Sequence, residues 1–444
     1  RRFALRCKVA DVYRSPLLLH AQVPVRPSGL YRYRMLGAPA LASGQGENAT
    51  TWRSFRTPPA PGGGRSMRVA FVGDIGQTAF SAQTCHTLAR AHHQNAFDVA
   101  VLLGDLSYAD SNSTRWDTMG RSFDLTGCSA VPWLMIPGNH EIEPDDLSGE
   151  AFVHYRNRVR TPQVAPEKVG NNTTIANWNT YDLHVEYDYG SSFYSVRLGP
   201  AHIIVLNPYT DNRAGDNSRQ LTWLRQELAS VNRTETPYLL VLTHAPWHST
   251  CDKHRAENEL ATKYLKNAAL PMLIAAEADM IFSGHVHAYE RSHPIEGIQH
   301  FVVGHGGNYE RLYNSWDTSL PYAYRSGDDY GWGELHLKPH AYSWLAHRSQ
   351  DGLVVDYIPV GTPRFPPQGP WLAADVPSKQ QAGEGGDDDG EQEASGGSGT
   401  GGTAAMVGIA TVAFMVVAAF CFLSCLRRKT SRSPQDSMPF TREG

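Results

Sequence analysis

Short apolar runs recur through the middle of the chain, five of the six below closed by a Gly-led polar step or by His. Examples are "MRVAFVGDIG" (67–76), "FDVAVLLGDLSY" (97–108), "VPWLMIPGNHE" (131–141), "AHIIVLN" (201–207), "PYLLVLTHAPWH" (237–248) and "ADMIFSGHVHAYE" (278–290). Unbroken hydrophobicity over so few residues marks strands buried on both faces. Between the first two, "AFSAQTCHTLARAHHQ" (79–94) carries helical periodicity, with His86, His92 and His93 on its polar face as ordinary surface residues. Asp74 and Asp105 are separated by roughly one βαβ unit of about 30 residues. The pattern predicts an α/β domain over residues 67–360, whose ligands gather beyond the C-terminal ends of its strands.

The flanks differ. Residues 1–60 are short extended pieces with aromatic alternation ("GLYRYRMLG", "TWRSFRTPP"), expected to form a small antiparallel β domain. "PPAPGGG" (58–64) links it to the main domain. Residues 361–403 are Pro-rich and then Gly/Ser/acid-rich, a solvated stalk. Residues 404–426 hold no charge and are long enough to cross a bilayer core of about 30 Å as a helix. Arg427, Arg428 and Lys429 follow, and the opposite flank is acidic. The expectation is a single-pass type I membrane protein, with residues 427–444 cytoplasmic and the catalytic part extracellular or lumenal, at the cell surface or in an endosomal or lysosome-like membrane. "RRFALRCKVADVYRS" lacks a signal peptide's apolar stretch, so the sequence is expected to begin part-way through the protein.

Composition narrows the function. A net charge of −4, without a Lys/Arg cluster interleaved with aromatics, argues against nucleic acid as partner. Sequons at Asn48, Asn112, Asn171, Asn172 and Asn232 fit a glycoprotein. Cys7, Cys85, Cys128 and Cys251 can pair in three ways, and their spacing fits no zinc finger. Cys421 and Cys425 sit at the end of the apolar segment, as lipid-facing thiols or palmitoylation sites.

The strand ends carry the chemistry. They present Asp74, then Asp105 and Tyr108, then Asn139 and His140, then His244, then His285 and His287. Taken singly, a Gly-Asp step is a turn signal and a loop His is usually a surface residue. Five strand ends in succession, each offering an oxygen or an imidazole, point to a shared metal. His285 and His287 would face opposite sides of a regular strand, so the backbone must turn between them, and Gly284 is the residue expected to allow it.

"GDIG", "GDLSY", "GNHE", "VLTH" and "GHVH" resemble the five blocks of the purple acid phosphatases, of the metallophosphoesterase superfamily. "HAPWH", "GHVHAYER" and "GWGELHL...AYSWLAHRSQDG" add to the likeness, which runs over roughly residues 20–360 and is closest to the plant-type members. The resemblance implies a calcineurin-like α/β fold, a β-sandwich with flanking helices, preceded by a partial fibronectin-III-like domain. It implies that Asp74, Tyr108 and His287 hold a ferric ion, that Asn139, His244 and His285 hold a divalent neighbour (Zn, Fe or Mn), and that Asp105 bridges them. Hard oxygen donors suit Fe(III), and imidazoles with an amide suit the divalent ion. Two ions about 3.5–4 Å apart can hold a hydroxide and clamp phosphate. Charge transfer from Tyr108 should colour the protein purple.

His140 resembles a family histidine beside the metal ligands, and His254 resembles the proton donor of plant-type members. Lys253 replaces a histidine common in those members and is a candidate phosphate-binding cation. His248 is a second candidate there, and ordinary loop solvation competes for both. His305 stands in "GHGGN" where the family commonly has Asp, and no role is assigned to it. The expected protein is a membrane-anchored acid phosphatase that hydrolyses phosphomonoesters by direct attack, with no phosphoenzyme; a homodimer is compatible with this. Two other readings remain: phosphodiester or nucleotide hydrolysis on the same scaffold, and a non-catalytic surface glycoprotein. The complete ligand set argues against the second.

Overall fold

The structure is a computed structural model that describes residues 4–5, 13–34, 52–95, 97–144, 150–162, 169–175, 183–187, 192–210 and 212–365. Before residue 67 it contains two separate antiparallel pairs. One joins β1 (Ala4–Leu5) to β2 (Tyr13–Arg14), the other β3 (Leu30–Tyr33) to β4 (Arg53–Arg56). Tyr13 anchors the first pair, donating its hydroxyl to Asp117 (3.0 Å) and accepting from Arg158 (2.6 Å).

Two sheets form the body. The first three apolar runs become β5 (Met67–Val72), β6 (Val99–Leu102) and β7 (Trp133–Met135), which pair in parallel. Two chain-crossings of helix join them: α1 (Ala79–Gln94) after β5, and α2 (Thr114–Thr126) after β6. The boundaries of α1 are set locally. Thr78 accepts from the backbone N–H groups of Phe80 and Ser81, and the Ser81 hydroxyl accepts from Thr78 N in return, which satisfies donors the first helical turn would leave unpaired. A short helix, α3 (Val153–Arg158), and an antiparallel pair, β8 (Val169–Ile175) with β9 (Leu183–Tyr187), follow.

β10 (Tyr194–Leu198), β11 (Ala201–Leu206), β12 (Tyr238–Thr243), β13 (Met280–Ser283), β14 (Tyr289–Arg291), β15 (Gln299–Val303) and β16 (Tyr324–Ser326) build the second sheet, in the order β10-β11-β12-β13-β15-β14-β16. Its centre, β11 to β12 to β13 to β15, is parallel. Helices α4 (Arg219–Ala229) and α5 (Leu260–Ala275) make the crossovers. The chain then returns to the first sheet as β17 (Gly331–Leu337), β18 (Tyr342–Arg348) and β19 (Val354–Gly361), giving the order β19-β18-β17-β5-β6-β7.

The sheets pack face to face through aromatic rings. Phe71 stacks on Phe282 with centroids 4.0 Å apart, and Phe282 on Phe301 at 4.7 Å; Trp344 covers Phe301 at 4.5 Å. A second core of Leu88, Trp116, Phe123, Leu221, Leu265 and their neighbours seals the helices onto the outer faces. Both faces of the central strands are therefore buried, which explains their unbroken hydrophobicity. The sandwich with flanking helices agrees with the sequence expectation.

The membrane expectation is corrected. Among the described residues no helix is long and apolar enough to cross a membrane. The 404–426 segment, the stalk from 366 onward and Cys421 and Cys425 lie outside the described residues. Cys85, Cys128 and Cys251 are buried free thiols, and Cys7 also lies outside the described residues.

Candidate metal centre

Asp74 follows β5, Asp105 and Tyr108 follow β6, and Asn139 follows β7, all on the first sheet; His244 follows β12, and His285 and His287 follow β13, on the second. The strand ends of both sheets thus face one seam. Several of these residues sit in left-handed backbone: Asp74 (φ 55°), Asp105 (φ 54°), Tyr108 (φ 48°) and His285 (φ 67°). Each such non-glycine residue costs on the order of 1–3 kcal/mol, and that cost collects at functional sites. The turn that brings His285 and His287 to one place is at His285 itself, not at Gly284. Gly284 is required for a different reason: a Cβ there would collide with Asp74 Oδ2 and the Leu103 carbonyl.

The side chains form two groups. In one, the Tyr108 oxygen lies 3.0 Å from His287 Nε2 and 3.3 Å from Asp74 Oδ1, and His287 Nε2 lies 3.6 Å from that same carboxylate oxygen. In the other, His244 Nε2 lies 3.1 Å from Asn139 Oδ1 and 3.2 Å from Asp105 Oδ2. Ligand atoms of Asp105, His244 and His285 lie within 4.8 Å of one another. All but Asn139 are at most 3% exposed. The seven residues anticipated as ligands are therefore brought together.

Backbone carbonyls fix the imidazoles. His244 Nδ1 donates to the Leu103 carbonyl (2.7 Å) and His287 Nδ1 to the Arg311 carbonyl (3.0 Å). Each ring is thereby held with Nε2 facing inward, His244 toward the Asp105 and Asn139 oxygens and His287 toward the Asp74 and Tyr108 oxygens. The Asp74 and Asp105 carboxylates and the Asn139 carbonyl oxygen offer only acceptors there, which suits a cation. The protonation balance says the same. Burial alone would lower His244, yet Asp105 and Asp74 raise it to about 9. Burial pushes the Tyr108 phenol well above its usual range, and Asp74 and Asp105 push it further. These carboxylates demand positive charge beside Nε2, and the phenol can ionise only next to it. The donor set fits one or more metal ions.

His140 is attached to the cluster. Its backbone N–H donates to Asp105 Oδ1 (2.9 Å), its Nδ1 meets Asp110 Oδ1 (2.5 Å), and its ring lies 4.2 Å from that of Tyr108. Burial disfavours its charge, but Asp105 and Asp110 outweigh burial and raise it to about 10. His254 packs 4.3 Å from the His285 ring. Lys253 is exposed, with Nζ 4.3 Å from the Tyr313 ring, and Tyr313 stacks on His287 at 4.5 Å. His248 is not brought among them. It packs on His300 at 4.7 Å, its Nε2 has no hydrogen-bond partner, and burial lowers it to about 4.

Other residues were not anticipated. Glu141 accepts the backbone N–H groups of Asp105, Leu106 and Gly138, each at 2.8 Å, and so ties the loops after β6 and β7. Tyr209 donates to Asn139 Oδ1 at 3.4 Å. Glu310 lies 3.8 Å from His287 and 3.9 Å from His140. Glu259 touches both His254 and His285.

Residues 67–289 match the family description "Calcineurin-like phosphoesterase", and residues 297–357 match "Iron/zinc purple acid phosphatase-like protein C". Purple acid phosphatase 21 of Arabidopsis thaliana is 30% identical over 365 residues, covering 79% of this chain and 73% of the relative. The chain belongs to the purple acid phosphatase family. It is accordingly an acid phosphatase. Purple acid phosphatase 1 of Ipomoea batatas is 33% identical over 331 residues, covering 68% of this chain and 63% of that protein. The solved structure of purple acid phosphatase PPD1 from yellow lupin covers 80% of this chain and 68% of that one, with a TM-score of 0.60 and 18% identity, a likeness of fold.

Against the family's common Asp, His305 is 2% exposed and neither ring nitrogen has a hydrogen-bond partner. Burial lowers it to about 3. An unfolded histidine titrates near 6.5, so below that pH the unfolded chain gains a proton the folded one refuses. This group's share of stability is present above pH 6.5 and is lost as pH falls toward 3, at up to about 1.4 kcal/mol per pH unit. His305→Gln is expected to flatten the fall in urea-unfolding free energy between pH 6 and pH 4 by up to that slope. An unchanged slope would show that His305 accepts a proton while folded.

Proposed function

We propose that this purple acid phosphatase hydrolyses phosphomonoesters at a pair of metal ions. Asp74, Tyr108 and His287 hold Fe(III); Asn139, His244 and His285 hold a divalent ion (Zn, Fe or Mn); Asp105 bridges them. A relative in Arabidopsis thaliana, 33% identical over 330 residues, is named Fe(3+)-Zn(2+) purple acid phosphatase 12, in keeping with this choice of metals. The observation that carries the reading is the convergence of two inward-turned Nε2 atoms on the Asp74, Tyr108, Asp105 and Asn139 oxygens, at 3.0–3.6 Å. Bound there, the ions supply positive charge to orient the phosphate and acidify the water that attacks it.

The protein's own groups do the rest. His140, whose Nδ1 is paired with Asp110, binds phosphate oxygens. Lys253 adds an exposed cation. His254 gives its proton to the leaving alkoxide as the ester P–O bond breaks. His248, packed on His300, takes no part in this scheme.

The purified protein is expected to contain iron and a divalent metal, to absorb in the visible from a phenolate–Fe(III) band, and to hydrolyse p-nitrophenyl phosphate at least about 10²-fold faster than bis(p-nitrophenyl) phosphate. Iron without a visible band would overturn Tyr108 as its ligand. A faster diester reaction would move the assignment to a phosphodiesterase.

A further inference from the structure

Glu259 opens helix α5 at the N-cap position, with extended backbone (φ −113°, ψ 108°), yet its side chain caps nothing. It turns inward instead and is 3% exposed. Oε1 lies 2.7 Å from His254 Nδ1 and 3.0 Å from His285 Nε2; Oε2 lies 3.1 Å from the same His285 nitrogen and accepts the Thr262 hydroxyl at 3.2 Å. One carboxylate thus spans two imidazoles whose rings are 4.3 Å apart. His254 is held there in left-handed backbone (φ 56°), a conformation that persists only where the surroundings over-determine it.

We propose that Glu259 is a positioning residue that sets both histidines at once, turning His285 Nδ1 toward the divalent ion and His254 Nε2 toward the leaving group. The proposal rests on the ligand and proton-donor roles given above. A carboxylate offers only acceptors, so each nitrogen facing it must be N–H. For His285 this leaves Nδ1 as the nitrogen with a lone pair, in a ring that offers a ligand atom within 4.8 Å of those of Asp105 and His244. For His254 the fixed Nδ1–H leaves Nε2, on the Tyr313 side at 3.4 Å from its hydroxyl, as the atom that exchanges a proton. A carboxylate behind a ligating histidine also raises its basicity. The same carboxylate therefore couples retention of the divalent ion to protonation of the leaving group.

Glu259→Gln keeps the size and removes the charge, and its amide N–H cannot accept. In the loaded protein, the affinity for the divalent ion, measured by metal analysis after dialysis against a graded chelator, is expected to fall about 10–100-fold, while iron and the visible band stay. The kcat/KM for an alkyl phosphate such as glycerol phosphate is expected to fall about 10²-fold more than that for p-nitrophenyl phosphate, whose leaving group needs no proton. Glu259→Asp, which is too short to span both rings, is expected to lose one of the two effects and keeps the question open to test should the glutamine variant fail to fold. Unchanged metal retention together with an equal loss on both substrates would overturn the proposal and leave Glu259 a structural residue. Loss of a third equivalent of metal would overturn it in favour of a cation held by Glu259 itself. Wild-type protein that binds neither iron nor a divalent ion would instead overturn the underlying reading of the site.

Discussion

Asp105→Asn is expected to lower kcat/KM on phosphomonoesters by about 10³-fold or more and to deplete both metals, with the fold retained. The substitution preserves shape and deletes one negative charge, so it isolates what that charge does. Asp105 Oδ2 faces His244 Nε2 at 3.2 Å and Oδ1 accepts from His140 N at 2.9 Å. Burial works against its ionisation, yet the facing imidazoles of His244 and His140 hold its carboxyl far below the usual carboxylate range. An asparagine would set an NH2 group against one of those two contacts and remove the anion placed between the two ligand groups. Gly138 is required beside this carboxylate, since a Cβ there would overlap Asp105 Oδ1. The checks are steady-state kinetics, metal content and the urea midpoint. Activity within about tenfold of wild type would remove Asp105 from the bridging role.

Tyr108→Phe is expected to abolish the visible band and to reduce kcat/KM by about 10²-fold or more. Only one oxygen is lost. The ring keeps its packing on His140 (4.2 Å) and Tyr309 (5.6 Å), so the backbone loop should survive. The hydroxyl sits 3.0 Å from His287 Nε2 and 3.3 Å from Asp74 Oδ1, where a phenylalanine offers no donor to iron. The spectrum separates this from a general loss of folding: a colourless variant with an unchanged unfolding midpoint supports the assignment, whereas a variant that stays purple refutes it.

The strands and α1 were legible because their signals are local. Thr78 and Ser81 cap α1 within four residues of sequence, and each apolar run is buried on both sides by the sandwich. The seven candidate ligands were legible because each terminates such a run. What stayed hidden was set by contacts between distant loops. Glu141 lay within a recognised block, but its three backbone partners are 3 to 36 residues away. Glu259 meets His285 across 26 residues, and nothing in its own neighbourhood separates it from any acid at the start of a helix. His248 failed as a guide for the converse reason: four residues from His244 in sequence, it turns toward His300 on β15. Gly284 was singled out for a turn that lies at His285 instead; what requires a glycine there is room beside Asp74.

The donors are divided between two sheets: Asp74, Asp105, Tyr108 and Asn139 come from the first, and His244, His285 and His287 from the second. Each half-set belongs to a contiguous stretch of chain. A protein nicked between β7 and β10 would carry its oxygens on one fragment and its imidazoles on the other. Neither fragment alone would turn purple, and colour returning on mixing would report, without any label, the moment β5 of one fragment pairs again with β17 of the other.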